Sequence, residues 1–283
     1  MHFFAGCVEQ PASVGQTIVF CGLPAGCSLQ GRPQETMVCP TMTSFDIDLL
    51  RRAFPDRRID YYPSIASTMA AAAGLDLRSI VLADEQTAGQ GRHGHAWHSE
   101  PCAGIYCSMV LPPTPLLTLA LGLATAEAIA SAAGIACDLR WPNDVMLGGR
   151  KLAGILVQLV DGRAIAGIGI NVAHRRFPPE LETEATSLAL AWKGSAPLPS
   201  REEILLALVR AVDEFTGEDA PTIVRLFTHA SSYASGRRVV VNLPDGTIAG
   251  TTCGLDDAGF LRLRRDDGTV TLILAGGVRA SGT

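Results

Sequence analysis

Lysine is nearly missing from this chain: of 23 basic residues only Lys151 and Lys193 are lysines, and the rest are arginine. Arginine replaces lysine readily on a wet surface and badly where a compact ammonium must meet one oxygen, so a surviving lysine invites a reason. Paired cysteines are also lacking. The eight thiols (Cys7, Cys21, Cys27, Cys39, Cys102, Cys107, Cys137 and Cys253) include no CxxC pair of the zinc or thioredoxin kind. That usage reads as a reducing cytosol, hence a cytoplasmic protein. Excess positive charge is absent as well. A net charge of -5 and a pI near 5.7 offer no general field for polyanions, so nucleic acid is not an expected partner. The longest apolar stretch, 116–137, carries Thr118, Thr125, Glu127 and Ser131 and is mostly alanine and glycine, so it reads as a buried helix rather than a membrane span.

What is present is enough for a core: 283 residues, 47% of them apolar, accommodate one large domain or a large one with a small companion. Residues 1–43 hold four of the cysteines and no sustained period, and read as a disordered or non-native tail without a signal peptide. Met42 ahead of a helical pattern (46–54) suggests a translation start there. From Ile59 short strands and helices alternate. Strands are expected at 59–62, 80–83 and 104–111, with an apolar hairpin at 152–160 and 164–172 about Asp161-Gly162-Arg163. Helices are expected after the capping Ser67, over 116–133, from Ser200 through 201–215, and over 221–229. After Ser235 the texture changes to strands near five residues long separated by Asp-Gly turns, a small all-β unit. The expectation is therefore an α+β fold, with a catalytic domain over 44–235 and a β-domain over 236–283.

Three segments could carry chemistry. Gly89-Gln90-Gly91-Arg92-His93-Gly94 spells GxGxxG, but no helix follows to hold a pyrophosphate, so the dinucleotide reading fails. Its backbone N–H groups and Arg92 can instead wrap an anion, although alone such a segment reads equally as a mobile surface loop. His93, His95 and His98 invite a metal, yet no carboxylate or cysteine sits at a matching offset, so no tightly bound metal is expected. Arg140-Trp141-Pro142-Asn143-Asp144 presents Asn143 and Asp144 from a proline-stiffened corner, a place for magnesium on phosphates or simply a turn between two strands. Arg150-Lys151-Leu152-Ala153-Gly154 then turns into a buried strand, with Lys151 at its mouth seven residues after Asp144. A hairpin that short can bring the ammonium and the carboxylate to one cleft, whereas a lone strand-end lysine usually snorkels.

In order, Ser67-Thr68, the run Asp84 to Trp97, Arg140 to Asp144, Arg150 to Leu156 and Gly167-Ile168-Gly169-Ile170-Asn171-Val172 resemble the biotin–protein ligase family, from about Ile59 to the C-terminus. The resemblance implies a mixed sheet packed by helices, the class II synthetase-like catalytic domain, followed by an SH3-like barrel. It implies biotin and ATP with Mg2+ giving biotinyl-5′-AMP, then transfer to one lysine of a biotin carboxyl carrier domain. Ser67, Thr68, Met69 and Gln86 would line the biotin pocket. Gly89, Gln90, Gly91, Arg92 and Trp97 would close over the adenylate. Asn143 and Gly154 would line the site, Asn171 would lie by the nucleotide, and Asp144 would serve magnesium-bound phosphates. Lys151 would contact the carboxylate and α-phosphate, so Lys151, Arg92 and Asp144 are the expected catalytic set.

The pattern departs in three places: Met69 where asparagine is common, Gln90 where arginine is frequent, and Arg140 where lysine often precedes the WPND corner. The residues ahead of the catalytic pattern contain one basic residue, Arg32, so the DNA-binding repressor form is not expected. A lipoate or octanoate transferase of the same fold is the nearest rival, and a non-catalytic biotin- or carrier-binding homologue the next. No membrane partner is expected, and a homodimer through an exposed sheet edge is.

Overall fold

The computed structural model describes residues 44–280 apart from 182, 244 and 245; the expected tail, the start at Met42 and the Pro244-Asp245 turn lie outside the described residues. A seven-stranded sheet forms the base. Its strands are β1 (Ile59–Tyr62), β2 (Ile80–Ala83), β3 (Gly104–Leu111), β4 (Asp138–Arg140), β5 (Asp144–Leu147), β6 (Arg150–Val160) and β7 (Arg163–Asn171). They lie in the order β1-β2-β3-β7-β6-β5-β4, with β1 and β2 parallel and the other pairs antiparallel. Two-residue turns at Gly148-Gly149 and Asp161-Gly162, all four residues at positive φ, close the β5/β6 and β6/β7 hairpins with the twist that flanking strands require.

The helices are α1 (Ile47–Ala53), α2 (Thr68–Ala72), α3 (Leu117–Ala133), α4 (Leu188–Ala191), α5 (Arg201–Phe215) and α6 (Ala220–Ala230). Several starts have a chemical cause. Ser67 accepts from Ala70 N–H, Asp219 accepts from Thr222 N–H, and Ser200 with Glu203 forms a reciprocal capping box. Gly134, left-handed, ends α3. α3 is apolar on every side because sheet, α5 and α6 surround it. No helix among the described residues is long and apolar enough to cross a membrane.

The period of two divides the sheet. Ile80, Leu82, Ile105, Cys107, Met109, Ile168 and Ile170 face α3 and α5 in the main core, while Val81, Val110 and Ile165 face the other way and bury Met69 and Ala72 of α2. Helices thus occupy both faces of the sheet. The β6/β7 hairpin is also less buried than its composition suggests: Leu159, near its tip, is 72% exposed. β4 and β5 flank the WPND corner, whose Trp141–Pro142 peptide is cis.

Five further strands, β8 (Ser235–Leu243), β9 (Gly246–Leu255), β10 (Leu261–Arg264), β11 (Val270–Ile273) and β12 (Gly277–Ala280), make an antiparallel sheet in the order β11-β10-β9-β8-β12. β12 had no separate sequence signal. Alternate residues Val239, Val241, Leu261 and Leu263 point into a core continuous with the large one. Trp141, almost fully buried, donates its indole N–H to Gly259 O at 2.9 Å and so fastens the WPND corner to the small β-domain.

Candidate active site

The sheet face opposite α3 carries the site. Three of its positions are glycine: Gly154 on β6, Gly167 and Gly169 on β7. A Cβ on Gly167 would stand 2.7 Å from Met69 Sδ, and one on Gly154 2.8 Å from the Trp97 ring; one on Gly169 would intrude into the same indole. Trp97 therefore lies flat over Gly154 and Gly169 only because neither has a side chain. Beneath it is a cavity of about 40 Å³, lined among others by Ser67, Thr68, Met69, Gln86 and Leu156. A water needs roughly 10–15 Å³ by this measure, so the space as it stands has room for only a few. One end of the cavity is polar: Gln86 Oε1 accepts from Thr68 N–H (2.9 Å) and from Thr68 Oγ1 (3.0 Å), and Thr68 Oγ1, its own proton so committed, accepts from the buried Ser108 Oγ at 2.8 Å. The Trp97 indole N–H is buried with no partner among the described residues, a donor held in reserve.

The glycine loop folds back on itself. Gly91 N–H donates to His95 O at 2.7 Å, Trp97 N–H to Gly89 O at 2.9 Å, and a single 3₁₀ turn spans Arg92–Gly94. Gly89 is buried behind the loop, where a Cβ would meet Gln86 Nε2 at 3.0 Å. Arg92 reaches out to Asn143 Oδ1 (3.2 Å) and to Gly276 O of the small β-domain (3.3 Å). Burial pushes the Arg92 guanidinium below its ordinary value, with Asp144 pulling the other way. Asn143 is clamped by its own hydrogen bond to Ile155 O at 3.0 Å.

At the centre stands an ion triplet. Asp144 Oδ1 is 2.6 Å from Lys151 Nζ, and Oδ2 accepts from Arg140 Nε (3.1 Å) and NH2 (2.5 Å). Burial alone would raise the Asp144 carboxyl, but Lys151 and Arg140 together hold it below the usual carboxylate range. Two cations on one anion leave a positive cleft, which Arg92 reinforces. Lys151 also sits 5.5 Å over the Trp97 ring. How Lys151 comes to face Asp144 is a matter of register: Asp144 pairs with Gly154 and Val145 with Ala153, but Met146 pairs with Lys151, so β6 carries one extra residue at Leu152. That bulge turns Lys151 onto the Gly154 face while Leu152 and Ala153 both enter the core.

A second, open cavity of about 670 Å³ lies between this cleft and the small β-domain, with Asn171, Phe177, Thr183, Gly276 and Arg279 on its wall. Asn171 donates to Thr186 O at 3.0 Å, which fixes its side chain. Gly91, Arg92, Trp97, Asn143 and Lys151 line both cavities. The expected site residues are thus gathered in one place, except that Gly89 supports the loop from behind; Asp144 and Asn171 line the larger cavity alone. Phe177, Thr183 and the Gly276–Arg279 segment carried no motif and become visible only once the two sheets are assembled.

Family models bear on this geometry. Residues 63–174 match the biotin/lipoate A/B protein ligase family and residues 234–278 the biotin protein ligase C-terminal domain. A biotin--[acetyl-CoA-carboxylase] ligase of Mycobacterium tuberculosis is 33% identical over 240 residues, 78% of this chain and 88% of that protein. The chain belongs to the biotin protein ligase branch of the biotin/lipoate A/B protein ligase family. The bifunctional ligase/repressor BirA of Bacillus spizizenii is 36% identical over 207 residues, and the match spans 67% of this chain but 62% of that relative's length. Among solved structures, the biotin protein ligase from Aquifex aeolicus in complex with biotin and ATP superposes with a TM-score of 0.71 at 30% identity, over 79% of this chain and 99% of that one.

Proposed function

We propose that this protein activates biotin with ATP and transfers it to a lysine of a biotin carboxyl carrier domain. The observation that carries the reading is Lys151 at the junction of the two cavities. An acid seated over the sheet and a nucleotide in the larger cleft would present carboxylate and α-phosphate to the same ammonium. Two anions must approach for the carboxylate oxygen to attack α-phosphorus, and preorganised cations lower that barrier most. The oxygen–phosphorus bond to pyrophosphate breaks as the acyl–adenylate bond forms. The carrier's uncharged lysine amine then attacks the acyl carbon, AMP departs, and an amide remains. Trp97 and the Arg92 loop would keep water from the mixed anhydride.

Thr68, Gln86 and Ser108 support biotin over a lipoyl chain, because a ureido ring supplies donors and an acceptor for that polar end and a dithiolane supplies neither. Magnesium would travel with the nucleotide phosphates. Both Asp144 oxygens already face cations, so the ion would compete with Lys151 for Oδ1, and Asp144 serves first to position Lys151. Relatives named biotin--[acetyl-CoA-carboxylase] ligase support a carboxylase carrier as partner.

The test is incubation of the full chain with ATP, magnesium, biotin and a carrier domain, read by streptavidin blot and intact mass. ATP-dependent biotinylation is expected. Lipoylation in its place, or biotin binding without turnover, would overturn the proposal.

A further inference from the structure

Outside the ion triplet, His98, Glu100 and His174 converge, with one ligand-capable atom of each within 4.8 Å of the others. His174 is fully buried in the segment that follows β7, where Ala173 N–H donates to Ala103 O at 2.6 Å and Ser187 Oγ donates to His174 O at 2.6 Å. His98 and Glu100 belong to the irregular segment just after Trp97. The cluster therefore joins the end of β7 to the segment that follows Trp97.

The hydrogen bonds settle which nitrogen of His174 is free. Tyr106 Oη gives its only proton to Glu100 O at 2.8 Å, so the 3.1 Å contact between Tyr106 Oη and His174 Nε2 needs the ring N–H as donor. Nδ1 is left with a bare lone pair, and it is buried with no hydrogen-bond partner among the described residues. A buried unpaired acceptor is destabilising unless something occupies it. A tyrosine on the far nitrogen is also the kind of partner that orients a metal-binding imidazole. Phe177 stacks on His174, with ring centroids 5.2 Å apart, and limits its rotation.

We infer that His98, Glu100 and His174 form a binding site for a divalent transition cation of the Zn2+ class, which pins the Trp97 segment to the end of β7. Two imidazoles and one carboxylate are the donor set of a three-ligand zinc site with an open fourth position, and nitrogen donors select zinc over magnesium or calcium. Bonds of about 2.0–2.1 Å require donor atoms about 3.4 Å apart, so the His98–Glu100 segment closes inward on binding. His98 lines the same 670 Å³ cavity as Lys151, next in sequence to the tryptophan that covers the sheet glycines. The cation acts on the loop's mobility and takes no part in phosphoryl chemistry, so the inference stands apart from the ligase proposal.

The test uses the full chain, stripped with chelator, kept reduced and titrated with Co2+ without biotin or ATP. One equivalent is expected, with d–d absorption of a low-coordinate nitrogen/oxygen site and no thiolate-to-cobalt band, and displacement by Zn2+. His98→Ala and Glu100→Gln, both at half-exposed positions, are each expected to weaken binding at least tenfold while leaving metal-free Tm unchanged. A thiolate band would assign the cation to cysteines. That result, absence of stoichiometric binding, or unchanged affinity in His98→Ala would overturn the inference.

Discussion

Replacing Lys151 by arginine keeps the charge and changes its shape. Nζ is 2.6 Å from Asp144 Oδ1, 5.5 Å from the Trp97 ring centroid and close enough to Gly154 that a Cβ there would meet it at 3.2 Å. A guanidinium is planar, longer and forked, and Asp144 offers it a bidentate partner, so Lys151→Arg would be drawn onto Asp144 and away from the cavity junction. The cleft would retain its net charge but lose a point donor aimed at the reacting oxygens. Loss of one preorganised donor of that kind costs about 10²–10³-fold in rate, or about 2.7–4 kcal/mol of transition-state stabilisation. Folding should barely notice, because Asp144 stays paired; a change within about 1 kcal/mol is expected, which moves Tm by about 2–4 °C in a chain of this size. Biotinyl-AMP formation, followed by chromatography of a single-turnover reaction beside thermal unfolding, separates the two effects. Synthesis within about threefold of wild type would refute the reasoning, and so would a loss of stability proportional to the loss of rate.

Two other outcomes follow from the same geometry. The Asp144 carboxyl is held low in the folded state, so its pairing contributes stability that is fully present above about pH 4, the ordinary carboxylate range, and disappears as pH falls through the depressed folded value. Asp144→Asn should abolish that part of the acid slope in urea unfolding and cost, at neutral pH, toward the lower end of about 3–5 kcal/mol, since Lys151 and Arg140 lose their counter-ion; an unchanged slope would contradict the assignment. Gly169→Ala places a methyl in the space of the Trp97 indole, so Trp97 must swing off the sheet at a cost of about 1–3 kcal/mol, and a solvent-shifted tryptophan emission that ligand fails to restore is expected.

Much of the architecture was legible before any coordinates. Ser67 and Ser200 mark helix starts because a side-chain oxygen there satisfies an orphan N–H locally, and 80–83 and 104–111 emerge as strands at the expected residues. Such signals are short-range, so one sequence suffices. β4 has only three residues, and β4, β5 and β12 open on Asp or Gly, residues that strands disfavour, so none registers as a run of β-formers of the kind at 80–83. The face that α2 covers is not legible, because the sheet around it is buried on both sides and continuous apolar runs conceal which side a residue takes.

The candidate site divides along the same line. Lysine scarcity and motif order by themselves singled out Lys151, Asp144 and Arg92, because catalysis asks for particular functional groups and those survive in the letters of the chain. That Lys151 faces Asp144 depended on a bulge at Leu152, a one-residue register shift between strands that spacing along the chain cannot express. The imidazoles follow the same rule: of the two groups that lie beside His98, Glu100 is only two residues on, but His174 is brought from 76 residues away by β7. Identity of the groups was written in the sequence; which of them meet was decided by strand pairing, because contacts distant in sequence exist only after the sheet has closed.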